Sequence, residues 1–235
     1  MDLTKFHPSR RAMIRSLLLA SSFAPAFLAV LARADSHGGT PIISGVQELS
    51  GDVRLNGRPA QVGQRVHPGD VCSTGADGSC VIVIGEHVYL IREESEVEFY
   101  AEDFEEAEGS ISGQIRLAAG AMLSVFGKTE TNIVTPMATI GIRGTACYVD
   151  IQTDRTYACV CYGKADLGSA VDGQLLETVT TKYHDSPRYI YPPDAPQRIT
   201  HAPVINHSDV ELRMLEALVN RVPPFDKTQG MRPYG

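Results

Sequence analysis

"TPMATIGIRGT", Thr135 to Thr145, alternates apolar and polar residues as a half-buried strand does. Ile140 and Ile142 fall on one face, Gly141, Arg143 and Thr145 on the other. Glycines on a strand admit a bulge or the close approach of a second backbone, so Gly141 and Gly144 mark irregular, crowded sheet. An arginine among them has two readings. Its planar fork either contacts an anion or a partner, or ties carboxylates and loop carbonyls together inside the sheet. The second suits so central a strand better, and Arg143 is expected to be an internal brace.

Outward from this strand the pattern is all-β. From Ile42 to about Leu167, short apolar runs are separated by turn chemistry. Asn56-Gly57 signals a hairpin, because both residues tolerate positive φ. Pro68-Gly69-Asp70 and Gly75-Ala76-Asp77-Gly78 are further turns. Strand-like runs lie at 71–73, 80–84, 87–91, 97–100 and 122–126, and residues 145–151 and 157–162 form a hairpin around "TDR". Such spacing implies a sandwich, barrel or short solenoid. The run 93–108 holds nine acidic residues and no basic one, without the oxygen spacing of a calcium loop, and reads as solvated.

The order of these motifs resembles that of a FecR domain. The resemblance rests on Asn56-Gly57-Arg58, "GQRVHPGD" (63–70), "TGADG" (74–78), "SEVE" (95–98), "LAAGAMLSV" (117–125) and above all "TPMATIGIRGT". It covers about half the chain. It implies an exported all-β domain, a twisted double-stranded β-helix or jelly-roll-like stack that contacts a ligand or protein. In well-known members that domain follows a membrane helix and a cytoplasmic anti-sigma segment, and relays a signal from an iron-siderophore receptor. This chain is expected to depart from that plan, with no anti-sigma segment and no direct role in transcription. A stand-alone FecR-like domain, used elsewhere in the envelope, is the expectation.

The remaining segments follow from composition. Residues 1–34 carry a basic start (Arg10, Arg11, Arg15), an apolar run over 17–32 and the small-residue pattern Ala32-Arg33-Ala34. They read as a signal peptide cleaved after Ala34. Ser9-Arg10-Arg11 with Met13 and Ile14 fits twin-arginine export better than an ordinary secretory signal, and a periplasmic protein is expected. An apolar run interrupted by Pro25 is short for a membrane span, so membrane attachment would come only through an uncleaved signal. Residues 35–41 read as a flexible leader, 42–168 as the β domain and 169–207 as an extended arm rich in Pro, His and Tyr. Residues 208–222 form a helix opened by a Ser208/Glu211 capping box and stopped by Pro223-Pro224, and 223–235 a loose tail. Leu212, Leu215, Val219 and Val222 make its apolar stripe.

The chain has 235 residues, a formal net charge of −7 and no basic stripe in its body, which excludes nucleic acid as a partner. Loss of 1–34 would remove more bases than acids and make it more acidic still. No nucleophilic triad, phosphate loop, zinc-protease motif or haem-attachment motif occurs, so no catalytic residue is assigned and an enzyme is not the expectation. Five cysteines and a set of histidines carry what chemistry there is. Cys72 and Cys80 flank "STGADGS" symmetrically; in a hairpin centred on Ala76 they would face each other and form a disulfide, the alternative being two small buried apolar side chains. Cys159 and Cys161 share a strand face, and Cys147 joins them if the "TDR" loop has an odd number of residues.

With His184 and His207 those three thiols would suit zinc or copper, neighbouring carboxylates steadying the imidazoles. A disulfide within the triplet, or inert thiols, are the other readings. Function therefore reads as a non-catalytic binding, sensing or scaffold protein with an envelope partner. The alternative is a periplasmic metal-binding or redox protein using Cys147, Cys159, Cys161 and the arm's histidines.

Overall fold

The computed structural model describes residues 41–100, 105–107, 110–128 and 130–228. The signal-peptide motif with Arg10, Arg11, Ala32 and Ala34, most of the leader, the tip of the acidic run and the end of the tail lie outside them. The described chain is all-β with two short helices near its end, as the turn chemistry implies. Its strands are β1 (Gly45–Ser50), β2 (Val53–Leu55), β3 (Arg58–Pro59), β4 (Val71–Thr74), β5 (Ser79–Ile84), β6 (His87–Ile91), β7 (Glu96–Phe99) and β8 (Glu105–Ala107). There follow β9 (Ser110–Ala119), β10 (Ala121–Val125), β11 (Glu130–Val134), β12 (Ala138–Gln152) and β13 (Arg155–Ser169). Last come β14 (Leu175–Thr181), β15 (Arg188–Ile190), β16 (Ile199–His201), α1 (Asp209–Leu218) and α2 (Pro224–Thr228).

One sheet curls on itself in the order β1-β5-β6-β10-β12-β11-β9-β7-β4-β2-β3. The quoted stretch makes the curl. Strand β12 pairs with β11 through Thr139–Arg143 and with β10 through Ala146–Asp150, so its two halves belong to different layers. Between them its pairing with β13 shifts register, and Gly144 turns at φ 56°, the left-handed region that favours glycine. Opposite this bend the Thr145 hydroxyl donates to the Tyr162 carbonyl, and a Cβ on Gly163 would meet Thr145 Oγ1 at 2.4 Å. The irregular, crowded backbone expected here is a corner.

Two apolar layers result. Ile82, Tyr89, Ile91, Met122, Cys147, Val149 and Val160 point between the halves of the sheet, against Leu55, Val97, Phe99, Leu117, Ile140 and Ile142. Alternate residues of the same strands, Val81, Val83, Leu90, Leu123, Tyr148, Tyr157, Cys159 and Cys161, point outward. That outer face would be a large exposed apolar patch if uncovered. Helix α1 and the chain before it cover it, burying Leu212, Met214, Leu215 and Val219.

Some expectations are corrected. The strands β4 and β5 on either side of "TGADG" do not pair: β4 lies between β2 and β7, and β5 between β1 and β6. The turn carries the chain from one layer to the other. Sheet also continues past residue 168, where β14 returns along β13, and β15 and β16 extend the edge, so the arm is partly strand. Helix α1 has the capping box but ends at Leu218, with Asn220 at φ 56°, leaving Val222 54% exposed outside its stripe. Arg143 is no internal brace: it is exposed and pairs across the strands with exposed Glu130 at 3.0 Å.

Candidate functional site

The outer face of β13 supplies two thiols. Cys159 and Cys161 are fully buried, two residues apart on one side of the strand. Cys147 is not with them. The β12–β13 turn consists of Thr153 and Asp154, so Gln152 faces Arg155 and Cys147 faces Val160. An even loop reverses the parity, and Cys147 points into the inner core.

The chain after β13 brings two imidazoles over these thiols. Strand β14 returns antiparallel and ends at Thr181 in a tight turn. The Thr181 hydroxyl donates to Asp185 Oδ2 at 2.9 Å and accepts the Asp185 N–H at 3.1 Å. Within the turn His184 has φ 48°, an uncommon conformation for a non-glycine residue, and its N–H donates to the Cys161 carbonyl at 2.9 Å. That aims the ring at β13, and its Nδ1 lies 3.5 Å from Cys159 Sγ.

His207 arrives from the arm. The Tyr157 hydroxyl donates to the Pro203 carbonyl at 2.9 Å and accepts the Ile205 N–H at 3.3 Å, pinning that segment to the outer face. Asn206 then turns at φ 56°, and His207 stacks on Tyr148 with ring centres 4.9 Å apart. His207 Nε2 lies 3.0 Å from His184 Nδ1. One ligating atom from each of Cys159, Cys161, His184 and His207 thus falls within 4.8 Å of all the others. Ser208 caps α1 directly afterwards, placing Asp209 Oδ1 3.4 Å from His184 Nε2, while Asp209 Oδ2 accepts from the Tyr183 hydroxyl at 2.8 Å.

The electrostatics of the two thiols diverge. Its hydrogen bond with Cys161 holds the Cys159 thiol well below the usual thiol range; burial opposes this, and bonds to His184 and His207 reinforce it. Burial pushes Cys161 up, as does the neighbouring Cys159 charge. For His184, burial works against the charged form, yet the hydrogen bond to Cys159 and the charges of Cys159 and Asp209 outweigh it and raise the pKa. Both shifts run the same way, toward a charged Cys159 beside a charged His184.

The second cysteine pair differs. Cys72 and Cys80 have sulfurs 3.6 Å apart, both buried in the inner core and hydrogen-bonded as thiols, not joined by the expected disulfide. They meet between layers and not across a hairpin, because their strands are not neighbours. The hydrogen bond to Cys72 raises the Cys80 pKa, burial and the neighbouring sulfur adding to it. Among the remaining motif residues, Gly141 lies on the outward side of β12 near Asn132, and Gly144 and Thr145 shape the corner.

Sequence reasoning named four of the clustered residues but missed how they are held. Asp209, two residues after His207 in the chain, faces His184 instead. The backbone carbonyl of Ile205, 2.6 Å from His207 Nδ1, had no sequence signal. A cleft of about 790 Å³ opens beside His207, edged by Arg92, Glu93, Glu94, Asp150 and Glu211.

Fold and site define an all-β module whose polar cluster sits at the seam between its sheet and its C-terminal segment. Residues 70–166 match the family model described as FecR protein, and this span, from the start of β4 to most of β13, is a FecR domain. The match includes "TGADG", "SEVE", "LAAGAMLSV" and "TPMATIGIRGT". His184, His207 and Asp209 lie beyond it. Two crystal structures described as an anti-sigma factor from Parabacteroides distasonis ATCC 8503, at 2.50 and 1.65 Å, are similar at 8% identity and a TM-score of 0.44. The similarity covers 56% of this chain and 59% of theirs. No curated protein matches the sequence.

Proposed function

We propose that the protein is an exported, non-catalytic sensing and binding module of the bacterial envelope, built on a FecR domain and read out through its C-terminal segment. The observation that supports this reading best is the seam. The FecR strand β13 contributes two thiols, and the residues after it contribute two imidazoles and the carboxylate behind them. Whatever occupies that cluster bears on how arm and helix lie on the sheet, which is what a binding module needs to pass a signal to a partner.

Two arginines also tie this segment to the sheet. Arg92 donates to the Asn206 carbonyl at 2.9 Å and to Glu211 at 2.7 Å, and Arg221 donates to the Glu86 carbonyl at 2.9 Å. Val204 and Val210, on or beside the arm, remain 48% and 42% exposed and are available to a partner. The twin-arginine reading of residues 1–34 supplies the compartment.

Fractionation of cells producing the tagged full chain tests the reading. Processed protein is expected in the periplasm, with unprocessed precursor retained in the cytoplasm when Arg10 and Arg11 are both replaced by Lys. A photo-crosslinker at Val204 is expected to give one discrete adduct with an envelope protein. Unprocessed cytoplasmic protein in the unaltered strain, or no adduct, contradicts it.

A further inference from the structure

The hydrogen positions at the cluster pose a problem that a cation solves. A carbonyl only accepts, so His207 Nδ1, 2.6 Å from the Ile205 oxygen, carries its proton and leaves Nε2 with a bare lone pair. That lone pair faces His184 Nδ1 at 3.0 Å. If His184 carries its single proton on Nε2, toward Asp209, two lone pairs confront each other. If it carries the proton on Nδ1, the bare Nε2 confronts a carboxylate at 3.4 Å. Neither neutral arrangement satisfies both sides, and the thiol of Cys159 stands 3.5 Å from the same Nδ1. Positive charge at the centre resolves the conflict. It is either an extra proton, giving an imidazolium–thiolate pair, or a metal ion.

We infer that Cys159 Sγ, Cys161 Sγ, His184 Nδ1 and His207 Nε2 form a closed, four-coordinate site for one Zn²⁺ ion, and that this ion fastens the C-terminal segment to the FecR sheet. The inference names the ligand class for the seam reading, but the binding itself stands without it. Tetrahedral zinc with bonds of about 2.3 Å to sulfur and about 2.0 Å to nitrogen needs sulfur–nitrogen edges of about 3.5 Å and nitrogen–nitrogen edges of about 3.3 Å. The sulfur–nitrogen distance of 3.5 Å matches, and the nitrogen–nitrogen distance of 3.0 Å needs an adjustment of a few tenths of an ångström. Two thiolates with two imidazoles are a donor set suited to zinc.

The surroundings are those of a ligand shell. The other nitrogen of His207 is bonded to a backbone carbonyl, and that of His184 lies 3.4 Å from the Asp209 carboxylate, which favours the remaining nitrogens as ligands. Two of the ligands are fully buried, the His184 side chain is 8% exposed, and His207 is sandwiched between Tyr148 and His184. Four protein ligands would fill a tetrahedral shell, so the site is structural or sensory in type. The neighbouring cleft with its carboxylates gives a cation a route in.

Metal analysis of the full chain, purified under reducing conditions and reconstituted with zinc, tests the inference. One zinc per chain is expected after desalting, and Co²⁺ in its place should give the visible bands of a tetrahedral thiolate site. Cys159→Ser should abolish retention. Asp209→Asn, which keeps the fold and all four ligands, should weaken zinc about 10- to 100-fold, and Cys147→Ala should change nothing. Failure to retain zinc, retention undiminished in Cys159→Ser, or retention of Cu⁺ while zinc exchanges away would each overturn the assignment. None of these results depends on where cells place the protein, so the envelope reading is judged separately.

Discussion

Two cysteine pairs lie on opposite faces of the same curled sheet, and their surroundings separate them. Cys72 and Cys80 sit in the inner core among aliphatic and aromatic side chains, sulfurs 3.6 Å apart. Cys159 and Cys161 are as deeply buried on the outer face, yet meet two imidazoles with a carboxylate behind. Burial drives a thiol toward its neutral form, as it chiefly does at Cys147, and at Cys80 it adds to the hydrogen bond with Cys72. The outer pair escapes because its cover is not sheet. A strand packed face to face delivers alternating apolar side chains, whereas turns and an arm deliver polar groups at chosen points.

The largest expected effect comes from cavities in the two cores. Ile82→Ala in the inner core and Leu215→Ala in the outer should each cost about 2–5 kcal/mol in denaturant unfolding. Only Leu215→Ala should also weaken zinc, because α1 holds the segment bearing His207. Equal zinc affinity in both variants would show that the cover does not organise the cluster. Next is Glu216, 4% exposed, which accepts from Arg221 at 2.5 Å and from the Tyr162 hydroxyl. Glu216→Ala strands a buried phenol and a guanidinium and should cost about 2–3 kcal/mol.

The thiols themselves sharpen the contrast chemically. In metal-free reduced protein, a small alkylating reagent at neutral pH should modify Cys159 at least about tenfold faster than Cys80, since the thiolate is the nucleophile. Peptide mapping reads the order, and equal rates would place the two pairs in one class. A smaller effect is expected at the arm's edge, where Arg188 holds Glu177 through two hydrogen bonds of 2.6 and 2.7 Å. This lowers the Glu177 pKa below its ordinary 4.5. The pair's contribution, about 1 kcal/mol or less, is full above that value and lost as pH falls through the folded-state pKa; Glu177→Gln should remove that part of the acid dependence. Smallest is Arg143→Ala, an exposed pair worth less than about 0.5 kcal/mol.

The fold was readable where chemistry is local. Asn56-Gly57 makes its hairpin, with Leu55 facing Arg58, and Ser208 with Glu211 caps α1. Turns alone do not say which layer the next strand joins, so "TGADG" read as a hairpin when it is a crossing between layers. At the site, the common face of Cys159 and Cys161 follows from strand geometry, whereas Cys147 hung on the parity of one turn. His184 and His207 come 23 residues apart from separate turns, each at or beside a positive φ. No spacing rule links such residues, since the path of β14 and the arm, not local propensity, brings them together.

Amide hydrogen exchange of the reduced full chain, with and without one equivalent of zinc, tests the central claim most directly. The ion should raise protection at residues 182–187 and 203–212, leaving β2 and β4, in the half of the sheet away from that segment, unchanged. Zinc binding with no change at those two segments, or with uniform protection of the whole sheet, would contradict the idea that the cluster fastens the C-terminal segment to the FecR domain.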